Sequence, residues 1–216
     1  MNHLQIKVTK KYPELKYRMN TNDDLKFPEL EMINLSLTFL GTYNIIDKIN
    51  DHLLSVCKYY NTITDKSNDD PITLSLKSTS FTLYYLEVEE LVYWIRKYID
   101  IIINISYILN YLRITGKEPQ KMEIDSIGKY MNCTNLAYKC FEDFLWLFTS
   151  VNDISNYYKH SIYNTNLNIF GKLEPCISAL GLKNHNFNLY NISLAELVSN
   201  FETFSIKSKE ILNDLI

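Results

Sequence analysis

Between Glu87 and Arg113 an apolar side chain returns at every third or fourth position: Val88, Leu91, Val92, Ile95, Tyr98, Ile99, Ile102, Ile105, Leu109 and Leu112. That interval follows the 3.6-residue turn of an α-helix, so these side chains form one continuous stripe. At 1.5 Å per residue the segment predicts a helix roughly 40 Å long. Trp94, Ile101 and Ile108 lie off the stripe at heptad spacing, which predicts cover on a second side. A helix apolar on two sides needs neighbours all round it, at the centre of a bundle or at a contact between two copies.

The rest of the chain agrees with a helical class. Only five glycines and five prolines occur in 216 residues, too few turn-formers for the many short strands of a sandwich or barrel. A hydrophobic content of 46% is enough to enclose one core, so residues 1–216 read as a single helical domain. Residues 1–30 read as an extended N-terminal arm, with brief alternation at Leu4, Ile6 and Val8. From about Glu31 to Tyr60, Phe39, Tyr43, Ile46, Leu53, Cys57 and Tyr60 predict a first long helix. After Pro71 the period changes to two, with Ile72, Leu74 and Leu76 and then Phe81 and Leu83, which predicts a small antiparallel β-hairpin.

Gly116 and Pro119 supply a stop for the central helix. A short helix is expected around Ile124 to Met131. A further long one should begin at Thr134 or Asn135 and reach His160, with Leu136, Ala137, Cys140, Phe141, Phe144, Leu145, Phe148, Val151 and Ile154 on one face. Residues 161–192 are polar and rich in Asn, a long connection. Ser193-Leu194-Ala195-Glu196 has the spacing of a capping box and opens the last helix, whose stripe runs from Leu194 through Leu197, Phe201 and Phe204 to Leu215. The expected architecture is mainly α: an antiparallel helical bundle of four to five main helices with a small β-hairpin insertion.

Charge and cysteine usage narrow the function. A formal charge of −3 argues against a protein whose main task is sequence-independent binding of a polyanion, although Lys7, Lys10, Lys11, Lys16 and Arg18 form a basic run. Cys57, Cys133, Cys140 and Cys176 show neither a C-x-x-C pair nor a spacing with His that would build a zinc site. They read as buried free thiols, and no cofactor or metal is implied. Met1 to Gln5 lacks the apolar stretch of a secretory signal, so a cytoplasmic location is expected. Ile99 to Leu112 falls short of the roughly 20 apolar residues a membrane span needs and contains Asp100, Asn104 and Asn110. It reads as a core helix, with no membrane partner.

No Gly-rich phosphate cradle, G-x-S-x-G turn, H-E-x-x-H or calcium loop is present, which excludes Rossmann and P-loop enzymes. Glu89-Glu90 and Glu142-Asp143 are adjacent in sequence, so the members of each pair point in different directions around a helix. The segment that could carry chemistry is Asn152-Asp153-Ile154-Ser155-Asn156-Tyr157-Tyr158-Lys159-His160-Ser161. Asn156 and His160 are four apart and share a helix face, so an amide could orient the ring while Lys159 lowers its proton affinity. The bland alternative is that Lys159 and His160 merely favour the negative end of the helix dipole.

That segment, behind Phe141-Glu142-Asp143-Phe144-Leu145-Trp146 and ahead of a loop and the helix from Ser193, resembles the HEPN superfamily (higher eukaryotes and prokaryotes nucleotide-binding). The resemblance covers the last half of the chain. It implies a small helical bundle, often dimeric, of a kind that includes metal-independent ribonucleases and parts of toxin–antitoxin and antiphage systems. The family signature is an Arg, usually followed by Asn, with His little more than one turn further on. Asn156 matches the Asn and His160 the His, while Ser155 stands where the Arg is expected.

Ser155 cannot supply a fixed positive charge, so Arg96 or Arg113 could serve only if the fold or a partner subunit brought one close. The resemblance therefore implies a binding or regulatory module without catalysis. The alternatives are a metal-independent endoribonuclease using His160, and a structural or assembly protein with no site. Asn156 and His160 are the candidate catalytic residues, with Lys159, Tyr157 and Tyr158 as candidate binding residues. A homodimer is expected from Trp94, Trp146 and the two-sided central helix, with RNA, a nucleotide or another protein as partner.

Overall fold

The computed structural model describes residues 25–64, 71–160, 175–183 and 186–216. The predicted arm falls mostly outside these residues, and 25–34 carry no regular element. Helix α1 spans Leu35–Thr64, α2 Pro71–Thr115, α3 Ile127–Asn132, α4 Leu145–His160 and α5 Leu194–Leu215. Strands β1 (Cys176–Lys183) and β2 (Asn186–Ser193) pair as an antiparallel hairpin, Cys176 opposite Ser193 and Ala179 opposite Tyr190. The mainly α class with a small hairpin is as expected.

Helix α2 is the axis of the structure. Its 45 residues make a rod about 68 Å long, and α1, α3, α4 and α5 all touch it. Val88, Leu91, Val92, Ile95, Tyr98, Ile99, Ile102, Ile105 and Leu109 of the predicted stripe are buried, as are Ile103 and Ile108. Helix α1 runs antiparallel to it: the Tyr60 and Tyr84 rings meet at one end, His52 Nδ1 lies 2.6 Å from Glu87 Oε2, and the Glu31 N–H reaches the Glu118 carboxylate at the other end. The rod stops where the sequence says it should. Gly116 takes φ 68° and its N–H bonds to Leu112 O, the left-handed conformation that glycine adopts without steric cost.

Phe204 of α5 closes the core. Its ring centroid lies between 5.1 and 6.2 Å from those of Phe144, Phe148, Phe141 and Tyr98, mostly edge to face. One fully buried ring thus joins the last helix to α2, to α4 and to the turn before α4.

Three sequence expectations need correction. The hairpin predicted at Ile72–Leu83 is the first part of α2, and the real hairpin lies inside the stretch read as a connection. The helix predicted from Asn135 starts only at Leu145. Before it the Asn135 side chain accepts from Ala137 N–H and closes a 3-10 turn at Leu136–Tyr138, and the Phe141 N–H is drawn to the Tyr130 hydroxyl at 2.7 Å. A second 3-10 turn, Glu142–Phe144, then leads into α4, and Leu136 is left exposed. Lastly, Ser193 sits at the start of α5 without a side-chain capping bond, because it ends β2; the Leu194 N–H bonds instead to Pro175 O at 3.0 Å.

Phe204→Ala is expected to lower unfolding stability by about 3–5 kcal/mol, since a fully buried ring with four aromatic neighbours leaves a cavity. Urea denaturation measures it, and a loss under about 1 kcal/mol would show that the cluster does not hold α5 in place.

Candidate functional site

Helix α4 lies along α2, burying Phe148, Val151, Ile154 and Tyr158. Beside that apolar face sit Asn152, Ser155 and Asn156, and α2 presents Arg96 and Asp100 to them, one turn apart. Arg96 Nη1 donates to Ser155 Oγ at 2.9 Å and to Asn156 Oδ1 at 3.2 Å. Its Nε lies 3.8 Å from Asp100 Oδ2. The other carboxylate oxygen, Oδ1, accepts the Ile127 N–H at 2.8 Å and so ties the start of α3 to the same pair. Further along, Asn104 Nδ2 donates to Asp125 O, and Lys129 Nζ pairs with the Asp125 carboxylate at 2.6 Å.

The guanidinium is largely withdrawn from water, with the Arg96 side chain 16% exposed and that of Asp100 23%. Such a charge is tolerated only if its protons find acceptors. Ser155 is small and buried, and its size matters as much as its oxygen. An arginine at 155 would put a second cation where Arg96 now lies. A short side chain on α4 thus receives a guanidinium from α2.

Asp100 is held less easily. Burial raises its pKa above the ordinary aspartate value and outweighs the Ile127 N–H and the charges of Arg96 and Lys97, with repulsion from Asp125 adding to the rise. Asp125 is held below its ordinary value, chiefly by its hydrogen bond to Lys129.

The remaining candidates occupy different surroundings. Lys159 is exposed. Tyr157 is half-buried with its ring 5.2 Å from that of Tyr190, whose hydroxyl donates to Asp153 Oδ2 at 2.6 Å; that bond, with burial and the nearby carboxylate charge, pushes Tyr190 up to about 12. Tyr158 is buried, its hydroxyl donated to Ser178 O at 3.1 Å, so it anchors the hairpin. His160 is the last residue of α4, one turn beyond Asn156, and its side chain lies outside the described residues. Of the two arginines the sequence offered, Arg113 is at the far end of α2 and donates to Asn110 Oδ1, whereas Arg96 joins Ser155 and Asn156.

Asp100 is the member that sequence reading missed. Its only signal was an Arg and an Asp four apart within a helix otherwise apolar on two sides. Among the described residues no helix is long and apolar enough to cross a membrane. No family model, no curated protein and no solved structure matches the chain.

Because Asp100 binds its proton more tightly folded than unfolded, its stability contribution is fully present below the ordinary aspartate pKa of about 3.9 and is lost as pH rises through the folded value. The wild type is therefore expected to lose stability relative to Asp100→Asn as pH rises from about 3 to 7. Urea unfolding of both proteins across that range checks the sign, and a difference that is flat or reversed would contradict it.

Proposed function

We propose that the chain is a HEPN-like helical module that binds a phosphate-bearing partner, single-stranded RNA first among them, and does not cleave it. The observation that carries this reading is the pair of bonds from Arg96 to Ser155 and Asn156, one turn before His160. They supply a fixed cation beside the segment that resembles the family motif. A guanidinium oriented by two neutral oxygens of its own fold keeps its charge for a phosphate that reaches it. It is poorly placed to follow the charge that develops in a transition state, which requires donors aimed at the reacting oxygen.

The rival reading, a metal-independent endoribonuclease using His160, is favoured by the same proximity of a guanidinium to the end of α4. The two separate cleanly. The protein is expected to bind a fluorescent single-stranded RNA and to leave it intact in the presence of a chelator. Arg96→Gln should weaken that binding and flatten its dependence on log salt by about 0.7, the value of one lost phosphate contact. RNA cleavage that disappears in both His160→Ala and Arg96→Gln would establish the ribonuclease instead. An absence of any RNA binding would leave the structural or assembly reading.

The same proposal takes the module to be a cytoplasmic homodimer. Its support for the compartment is four free cysteines, two of them buried, with burial pushing the Cys57 thiol up to about 11 and so keeping it unreactive. Its support for the dimer is exposed apolar surface: Trp146 at 41%, with Leu86 and Tyr93 also exposed on α2. Sedimentation at micromolar concentration is expected to give twice the monomer mass, and a monomer would contradict this part.

A further inference from the structure

Arg96 and Asp100 are a loose pair. A guanidinium and a carboxylate that satisfy each other meet through charge-assisted bonds of about 2.7–2.9 Å, often two at once. Here the one close approach is 3.8 Å, beyond hydrogen-bond distance. The reason lies in the fold: Asp100 Oδ1 is committed to the Ile127 N–H, which fixes the carboxylate in place. Among the described residues the hydrogen bonds of Arg96 go to two neutral oxygens, which orient the guanidinium without cancelling its charge. Around the pair, Lys97 is exposed and adds positive charge near Asp100, while the Asp125 carboxylate is taken by Lys129.

We infer that Arg96 is a phosphate-binding group whose charge Asp100 partly offsets, an internal counter-anion that an incoming phosphate must outcompete. The inference rests on the reading of a phosphate-bearing ligand and names how that site is regulated. A phosphate oxygen free to rotate can meet the guanidinium at full hydrogen-bond distance, which the tethered carboxylate cannot. Ser155 and Asn156 keep the guanidinium in position as the competition proceeds, so no helix has to move. Asp100 opposes the ligand twice, by holding part of the Arg96 charge and by repelling a second anion placed beside it.

Asp100→Asn removes the competing charge and keeps an oxygen to accept the Ile127 N–H. The full-length protein is titrated calorimetrically with sodium tripolyphosphate at constant ionic strength, as wild type, Asp100→Asn, Arg96→Gln and the double variant. Asp100→Asn is expected to bind about tenfold more tightly than wild type, the effect of one charge at this range, and Arg96→Gln should abolish that gain. Equal or weaker binding by Asp100→Asn, or a gain that survives Arg96→Gln, overturns the inference.

A second measurement needs no variant. The chain has three arginines, Arg18, Arg96 and Arg113, so their Nε–H signals are separable by NMR. The Arg96 signal of the wild type is expected to shift on saturation with tripolyphosphate, and a signal that stays fixed overturns the inference even if Asp100→Asn fails to fold. Failure to bind RNA with the tripolyphosphate gain intact would reject the RNA reading alone. RNA binding through Arg96 without that gain would reject only the role given to Asp100.

Discussion

Burial of α2 on the sides it turns to α1, α4 and α5 is the constraint from which the remainder of the structure follows. An isolated helix is marginal in water, and most of its stability in a protein comes from packing an apolar face. With one stripe covered by α1 and others by α4 and α5, those sides of α2 leave little room for polar groups. The neighbours are fixed in turn by what they bury against it. Phe204 brings α5 to Tyr98 and to the aromatic turn before α4, and the Tyr84 hydroxyl, donating to Cys176 O at 2.7 Å, brings the hairpin to the other end.

Within such a helix Arg96 and Asp100 are costly residues, and their cost explains the local design of α4. A partly buried cation needs acceptors, so α4 departs from apolar chemistry at Ser155 and Asn156, where α2 faces it with a guanidinium. Asp100 extends the same logic to α3, whose first N–H would otherwise lack a partner. One arginine and one aspartate thereby pin three helices along a polar seam at the edge of the core. The seam is where a ligand's charge would be felt most, since the groups there are already oriented and partly stripped of water.

How much of this the sequence disclosed depended on whether the signal was local. The stripe of α2 and its stop at Gly116 were legible because both are set by residues a few positions apart. The hairpin was misplaced for the opposite reason. Ile72, Leu74 and Leu76 alternate as a strand does, yet they follow Pro71, an acceptable first residue of a helix, and continue into the longest helical run of the chain. The real strands were hidden among Asn and Gly; Cys176–Ala179 is buried, and its cover comes from tyrosines of α2 and α4 that no local pattern could reveal. Ser193 likewise had the spacing of a cap, but its pairing with Cys176 in the hairpin took precedence. For the site, Asn156 was named from its own helix. Its partner Arg96 lies 60 residues away and could be named only as a cation that the fold would have to deliver.

The central claim is that Arg96 and Ser155 act as one unit joining α2 to α4. A double-mutant cycle tests it most directly, with Arg96→Gln, Ser155→Ala and the double variant compared by urea unfolding. The pair is expected to show a coupling energy of about 1 kcal/mol or more, since each loses its partner when the other is changed. Additivity to within about 0.3 kcal/mol would contradict the account and return Ser155 to an ordinary helix position.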